Sequence, residues 1–246
     1  MILNLRTMKA TALPALVFAL FCGAAQAQWL GPHKDASHSA LWNAPAVTTD
    51  VSGAPKWDTG NLDLFGSGPI AIFEDRIFAV AAEGDDYLSP MPDRTWIRAL
   101  RRDTGALLWD SADLDTGVSV DYGSLSGPVV DAAARAIFFA TGQTVYRLNA
   151  DTGATSWSVT LDDAITSAGA SMDIVNASVA LGAGRVFVNT YNGFDPSKTQ
   201  MVALDAATGA VAWFYGPLGT GSNNPLFIEA GAQQLVVTPD TRGTSG

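Results

Sequence analysis

Cysteine, histidine and positive charge are scarce in this sequence, and each scarcity argues against a class of site. The 246 residues contain one cysteine, Cys22, and two histidines. Cys22 lies in a segment predicted to be removed on export, so the exported chain has no thiol for a disulfide or a thiolate metal site. His33 and His38 have no cysteine or carboxylate pattern nearby, so they do not predict a zinc site. The stability of the exported chain must therefore come from packing.

Basic residues are outnumbered by acidic ones. The chain has 14 Lys and Arg against 24 Asp and Glu, a formal net charge of −10. Loss of Arg6 and Lys9 with the leader leaves 12 against 24, or −12. Because nucleic-acid phosphates attract basic surfaces, this balance disfavours a nucleic-acid partner. The acidic residues are scattered, which is typical of a solvated surface.

The long apolar run is confined to the N-terminus. Residues 1–27 are predicted to be a signal peptide, because Arg6 and Lys9 precede the run and the small residues at 25–27 suit cleavage before Gln28. The run is shorter than the roughly 18 apolar residues of a spanning helix. No later stretch of the sequence is apolar enough to cross a bilayer.

One alternative for the leader is lipidation at Cys22. The bulky Phe21 stands where a lipoprotein signal usually has a small residue, so the match to such a signal is weak. Either route predicts a periplasmic or secreted protein.

A motif of eleven residues occurs three times, as "ALRRDTGALLW" at 99–109, "RLNADTGATSW" at 147–157 and "ALDAATGAVAW" at 203–213. The tryptophans are 48 and 56 residues apart, and Trp57 lies 52 residues before the first. Repeat periods near 50 are typical of propeller blades, each a four-stranded antiparallel sheet. The repeated motif residues are Thr104, Gly105, Trp109, Thr152, Gly153, Trp157, Asp205, Thr208, Gly209 and Trp213.

Each period contains four short segments rich in β-branched and aromatic residues, without helical periodicity. The sequence therefore predicts an all-β propeller. Its predicted parts are a signal peptide at 1–27, a leader with an outer strand at 28–61, and blades at 62–109, 110–157, 158–213 and, in part, 214–246. Three complete blades and a partial one are fewer than the about seven or eight that close such rings, so we predict an open or truncated ring with exposed edge strands.

The Thr-Gly pair predicts a tight turn between the third and fourth strands, with glycine supplying a positive φ. Trp109, Trp157 and Trp213 follow the turn glycine at equal distance, so they project from the same face of their blades. We predict that each indole packs against the neighbouring blade and donates its N–H to a backbone carbonyl. This structural role is favoured over a catalytic one.

The motif resembles the tryptophan-docking repeat of the quinoprotein propellers, which are related to alcohol dehydrogenases that use pyrroloquinoline quinone (PQQ). Asp205 matches the family's usual aspartate, whereas Arg101 and Asn149 replace it in the other copies, which puts the side-chain hydrogen bond of those two turns in doubt. A second similarity is a short leader found in exported PQQ-like repeat proteins, matched by Trp29, Gly31, Pro32 and Asp35.

The longest insertions, at 83–94 and 192–199, join second to third strands and are predicted to share one end of the propeller. Long loops on a rigid scaffold commonly carry binding residues. The candidate binding-face residues are Glu83, Asp85, Asp86, Asn192, Phe194 and Asp195. A calcium site in the first loop is disfavoured, because the spacing of its acidic residues matches no known calcium loop and a calcium site takes six or more oxygens.

Two functions of different class remain open. The first is a non-catalytic binding or assembly scaffold with a periplasmic or extracellular protein partner, similar to the PQQ-like protein that helps insert outer-membrane barrels. The second is a dehydrogenase or a fragment of one, for which the resemblance implies PQQ and calcium. The adjacent-cysteine disulfide of many such dehydrogenases is missing, and no residue matches a catalytic motif. The sequence therefore favours the scaffold, without an assigned cofactor.

Overall fold

The computed structural model describes residues 30, 57, 58, 60, 69–83, 94–114, 126–161, 178–190, 199–218 and 224–238, with Glu83 and Arg94 described through their backbone alone. Within these ranges the chain forms three four-stranded sheets and one two-stranded sheet, all antiparallel. Over the same residues there is no helix with the length and apolar character needed to cross a membrane.

The strands follow one another in chain order within every sheet. Blade 1 consists of β1 (Ala71–Phe73), β2 (Arg76–Glu83), β3 (Arg94–Arg101) and β4 (Leu107–Asp110). Blade 2 consists of β5 (Val129–Asp131), β6 (Ala136–Thr141), β7 (Thr144–Asn149) and β8 (Thr155–Thr160). Blade 3 consists of β9 (Ala180–Gly182), β10 (Arg185–Asn189), β11 (Met201–Asp205) and β12 (Val211–Tyr215). The partial blade consists of β13 (Leu226–Ala230) and β14 (Gln233–Val237).

This architecture confirms the predicted all-β propeller of four-stranded antiparallel blades in an incomplete ring. Each complete blade is a meander, so the turns from first to second strand lie at the same end as the Thr-Gly turns from third to fourth strand. The strand-to-strand connections from β2 to β3 and from β10 to β11 leave from the opposite end.

The core lies between the blades, because side chains alternate between the two faces of each strand. In blade 2, Ile137 and Phe139 face blade 1, whereas Phe138 and Ala140 face blade 3. All four are buried. A blade covered on both faces needs nearly continuous apolar strands, which is why β6 reads AIFFAT.

Every complete blade carries an aromatic pair that the sequence repeat does not reveal. A phenylalanine on the second strand contacts the tryptophan on the fourth strand across the intervening third-strand residue. The pairs are Phe78–Trp109, Phe138–Trp157 and Phe187–Trp213, with ring centroids 5.6, 5.9 and 6.0 Å apart. The pair holds the indole on the blade face that meets the next blade.

Each of the first two indoles docks onto the turn glycine of the following blade. Gly153 has φ of 74°, and a Cβ there would lie 2.6 Å from Cε3 of Trp109. Gly209 has φ of 76°, and a Cβ there would lie 3.0 Å from Cδ2 of Trp157. Real Cβ atoms essentially never come within 3.0 Å of another heavy atom, so Gly153 is required by packing on the indole as well as by φ. At Gly209 the nearest atom to an added Cβ would be Cγ2 of Val159 at 2.9 Å, so the indole and this valine together exclude a side chain.

The indole N–H groups follow the prediction in part. Nε1 of Trp157 donates to the carbonyl oxygen of Ala206 at 3.3 Å, and Nε1 of Trp57 donates to the equivalent carbonyl of Arg102 at 3.0 Å. Nε1 of Trp109 is buried without an acceptor among the described residues, so the predicted bond is not made there. The close indole-glycine packing is present at Gly153 without that hydrogen bond.

A second set of contacts joins the blades near the inner strands. The backbone of Gly127 lies against Pro69, where a Cβ would come within 2.2 Å of the proline ring. Gly127 donates its N–H to Oγ of Ser178 at 2.8 Å, and Ser178 donates its own N–H to Oδ1 of Asn224 at 2.8 Å. The blades are therefore joined at both their inner and outer edges.

We expect Gly153→Ala to destabilise the protein more than Gly184→Ala. Gly184 has a similar φ of 70° but no atom within 4 Å of an added Cβ, so its substitution reports backbone strain alone. The strain costs about 1–2 kcal/mol in the left-handed region, and overpacking against Trp109 adds about 1–3 kcal/mol. Urea unfolding of both variants measures the difference. Equal losses of unfolding free energy would show that the indole contact does not constrain this position.

Candidate functional site

The three Thr-Gly turns have the same backbone hydrogen bonds. The glycine N–H of each turn donates to the carbonyl of the residue four positions earlier at 2.8 Å, at Gly105, Gly153 and Gly209. The threonine Oγ1 of each turn accepts an N–H at 3.3 Å from the alanine that follows the glycine. Three different sequences thus form one turn geometry.

The sequence put the side-chain hydrogen bond of the turn in doubt where the family's aspartate is replaced, at Arg101 and Asn149. The structure corrects this doubt at Asn149. Oδ1 of Asp205 accepts from the N–H groups of Ala207 and Thr208 and from Oγ1 of Thr208, at 3.1, 3.0 and 3.0 Å. These bonds, led by the Thr208 hydroxyl, lower the pKa of Asp205. Oδ1 of Asn149 accepts the corresponding three bonds at 2.8, 3.0 and 3.2 Å. The doubt about Asn149 was therefore wrong, because an amide oxygen accepts as a carboxylate does.

Arg101 is different, since its side chain has no acceptor for these N–H groups. Its Nη1 lies 3.5 Å from Oδ2 of Asp75, in the turn between β1 and β2. Arg101 also pairs in register with Arg76, whereas in blade 3 the same register joins Arg185 to Asp205. Because arginine stands at position 101 where blade 3 has an aspartate, two arginines, Arg76 and Arg101, face each other. The carboxylate of Asp75 offsets their like charge.

An ionic cluster links blades 1 and 2 at this end of the propeller. Nη1 and Nη2 of Arg135 donate to the two oxygens of Glu74 at 2.8 and 3.0 Å. Nε and Nη2 of the same guanidinium donate to Asp151 at 2.8 and 2.7 Å. Arg76 approaches Asp151 at 3.1 Å and Glu74 at 3.3 Å. The guanidinium groups of Arg135 and Arg76 thus both contact one carboxylate of blade 1, Glu74, and one of blade 2, Asp151.

The pKa values of this cluster move in the direction that stabilises its charges. Hydrogen bonding to Arg135 lowers the pKa of Glu74 and of Asp151, and their carboxylates raise the pKa of Arg135. The three side chains are about 40 % exposed, so solvent screens the attraction. The cluster is a structural link between blades, and it has no group poised for acid-base chemistry.

The cofactors that the family resemblance implies are PQQ and calcium. The described residues contain no group of three or more His, Cys, Asp or Glu side chains that could hold a metal ion. The described inner strands β1, β5 and β9 read AIF, VVD and ALG, without a cationic or amide side chain that could bind the carboxylates of PQQ.

The predicted loop face falls largely outside the described residues. Asp85, Asp86, Asn192, Phe194 and Asp195 are not described, and Glu83 is described only as the last residue of β2. A binding role for these residues stays a prediction.

Among the described residues, several large apolar side chains are exposed on the outer strand of blade 3. All five residues of β12 are exposed, including Trp213 at 40 %, Phe214 at 44 % and Tyr215 at 60 %. Trp213 and Tyr215 project from the face of β12 that meets the partial blade, and these two residues define what we call the open face. Phe214 projects from the opposite face, because its register partner Val202 packs towards blade 2. This surface could not be predicted from the sequence, because Trp213 belongs to the same motif as tryptophans that are partly buried in the two preceding blades.

A groove of about 620 Å³ runs along the open face. It is lined by Met201, Trp213, Phe214, Tyr215, Leu218, Val236, Val237 and Thr238. Strand β13 covers the inner part of blade 3 through Phe227, which stacks on Phe187 with ring centroids 5.6 Å apart. The described strands of the partial blade therefore cover β9 and β10 but leave the outer strand β12 open.

These features define a propeller built from PQQ-like repeats. The family model described as outer membrane protein assembly factor BamB matches residues 93–243, more than half of the chain. The chain belongs to this family. Among curated proteins, none matches the chain.

Solved propellers show the same fold at low identity. A quinohemoprotein alcohol dehydrogenase from Pseudomonas putida HK5 aligns with a TM-score of 0.53 and 14 % identity, over 77 % of this chain and 26 % of its own. BamB from Moraxella catarrhalis aligns with a TM-score of 0.48 and 16 % identity, over 77 % of this chain and 53 % of its own. The chain thus spans about half of the BamB structure and a quarter of the dehydrogenase.

We expect Arg135→Met to reduce stability at neutral pH but not in acid. The pKa values of Glu74 and Asp151 are lowered on folding, so their contribution is full above their unfolded values and is lost as pH falls through the folded ones. The difference in Tm from the unmodified protein should therefore be largest near pH 7 and should shrink below about pH 4. Thermal unfolding from pH 3 to 7 measures it. Arg101→Met is the control, and a pH-independent difference for Arg135→Met would contradict the assignment.

We expect Trp157→Ala and Trp213→Ala to differ in their effect on stability. Truncating a buried tryptophan costs about 3–5 kcal/mol, and Trp157 is packed between its blade and the Gly209 turn. Trp213 has one open side, so its loss should cost less than half as much. Urea unfolding of the two variants measures their losses of unfolding free energy, and their m-values are compared with each other. Equal costs would mean that the open face is covered in solution.

Proposed function

We propose that this protein is an exported, non-catalytic scaffold that binds a protein partner during the assembly of outer-membrane proteins. Membership of the BamB family supports the assembly role, and the predicted signal peptide supports export to the periplasm. The observation that carries the proposal is the open face, an apolar surface on a rigid blade.

The composition of the open face is that of a protein-binding surface. Tryptophan, tyrosine and phenylalanine bury a large area with few rotatable bonds and are common at the centres of interfaces. Here Trp213 and Tyr215 project from the same face of β12 and are 40 and 60 % exposed. Contiguous apolar patches of this kind on a folded domain commonly mark a site of protein association.

The scaffold needs only a rigid presentation of these side chains. Strand β12 pairs with β11 in four register positions, and β11 pairs along its length with β10. Phe187 supports the Trp213 ring from within the blade at 6.0 Å. The surface is therefore held by main-chain hydrogen bonds and by an aromatic contact, so little ordering is needed on binding.

A dehydrogenase is not proposed, because no described residue set supports one. The described strands β1, β5 and β9 carry no cationic or amide side chain for PQQ, and the likeness to the Pseudomonas putida dehydrogenase at 14 % identity shows the fold alone. Asp86 and Phe194, in the two long loops, are still predicted to contribute to partner binding. These loops are predicted to lie at the end of the propeller opposite the Thr-Gly turns.

Site-specific photo-crosslinking in the periplasm tests the proposal. A photoreactive residue at Tyr215 should form a covalent adduct with a protein of the outer-membrane assembly machinery. The matched control is Leu107, which is 55 % exposed on the outer strand of blade 1 and lies away from the open face. An adduct at 215 and none at 107 is the expected result. No adduct at 215, or the same adducts at both positions, would contradict a binding role of this face.

A further inference from the structure

A cleft of about 360 Å³ lies between blades 2 and 3, at the end of the propeller that carries the Thr-Gly turns. Asp131 lines it from blade 2, Gly184 and Arg185 line it from blade 3, and Leu30 and Leu181 belong to its apolar wall. Its volume is within the range of roughly 300–1,000 Å³ that is typical of small-molecule sites. Both blades are complete four-stranded sheets, so the cleft is an interface between two complete blades.

Repeat positions show what fills the same place between blades 1 and 2. The carbonyl of Gly184 accepts the N–H of Ala206 at 3.0 Å, and the carbonyl of Arg135 accepts the N–H of Ala150 at 2.9 Å. Ala206 and Ala150 occupy the same position in their turn motifs. Gly184 is therefore the counterpart of Arg135, and blade 3 has no side chain where blade 2 has a guanidinium.

The surroundings of the Arg135 guanidinium have a counterpart in the cleft. The guanidinium carbon lies 5.2 Å from the centroid of the Phe73 ring, and both terminal nitrogens donate to Glu74. Phe73 pairs in register with the first residue of β2, as Asp131 pairs with the first residue of β6. In the cleft a carboxylate thus stands at the position of the aromatic ring on which the guanidinium rests. Both groups attract a cation.

The charges around the cleft leave the Asp131 carboxylate available to a ligand. Oδ1 of Asp131 accepts the N–H groups of Ala133 and Ala134, both at 3.0 Å, and no described residue donates to Oδ2. Arg185 forms its ion pair with Asp205 instead, with Nη1 2.7 Å from the carboxylate oxygen. One negative charge on the cleft wall is therefore uncompensated among the described residues, which favours a cationic ligand.

We propose that this cleft binds a guanidinium group, supplied by free arginine or by an arginine side chain of a peptide. The N–H groups of the ligand donate to the free oxygen of Asp131 in a charge-assisted hydrogen bond. The apolar wall formed by Leu30 and Leu181 packs against the methylene groups that carry the guanidinium. This site is separate from the open face, and it does not rest on the proposed function.

Titration of the full exported chain with arginine probes tests the proposal. The probes are N-acetyl-L-arginine N-methylamide, which stands for an arginine within a peptide, and free L-arginine. The matched control probe is N-acetyl-L-citrulline N-methylamide, which has a similar shape without the charge. Shifts of the backbone amide resonances of Ala183, Gly184 and Arg185 report the place of binding. The dependence of these shifts on probe concentration reports the affinity.

We expect an arginine probe to shift these resonances, and citrulline to bind at least about ten-fold more weakly because it lacks the charge-assisted hydrogen bond. Asp131→Asn should weaken arginine binding by a similar factor. The asparagine oxygen can keep the two hydrogen bonds of its turn, as the Asn149 oxygen does, so the variant should remain folded. Asp103→Asn, at an exposed position of blade 1, is the matched control and should bind as the unmodified chain does.

Gly184→Arg gives a second, independent readout. No atom lies within 4 Å of an added Cβ at this position, and Arg135 holds the equivalent position with φ of 48°. The introduced side chain should occupy the cleft and abolish the shift at Ala183.

The two arginine probes distinguish the sources of the guanidinium. Binding of the capped probe supports an arginine within a peptide, and binding of free arginine alone supports a small-molecule ligand. No shift with either arginine probe, or equal binding of citrulline, overturns the inference. Undiminished arginine binding to Asp131→Asn or to Gly184→Arg also overturns it.

Discussion

The structure depends on one contact, an indole laid on a glycine that has no side chain to obstruct it. At Gly153 and Gly209 the backbone is held at positive φ and a tryptophan from the preceding blade fills the space of the missing Cβ. The turn and the interface therefore require the same residue for two reasons, one conformational and one steric. Phenylalanine on the second strand holds each indole in place, so the contact extends across the width of the blade.

The remaining links between blades are arranged around this contact. Near the inner strands, Gly127, Ser178 and Asn224 form a chain of main-chain to side-chain hydrogen bonds across three blades. At the end of the propeller that carries the Thr-Gly turns, Arg135 binds one carboxylate from each of two blades. Apolar side chains fill the volume between these edges. Since the ionic link is partly exposed and the apolar core is not, most of the stabilisation comes from burial.

Trp213 has the same position in its blade as Trp109 and Trp157, but among the described residues it lines a groove instead of packing on a turn glycine. The repeated tryptophan is thus a packing residue in two blades, whereas in the third its side chain is 40 % exposed. A partner-binding role of this exposed ring is our proposal.

Much of the fold could be predicted from the sequence, because blade period, strand alternation and turn chemistry are local. The Thr-Gly turns and the all-β propeller are examples. The candidate site could not be predicted, because it depends on what lies against a residue: Trp157 and Trp213 have the same motif, yet within the described ranges a turn glycine covers Trp157 and none covers Trp213. Asn149 likewise differs from aspartate in sequence but accepts the same hydrogen bonds. The sequence determined which side chains recur. Only the tertiary structure decided which of them are buried, since burial depends on neighbours distant along the chain.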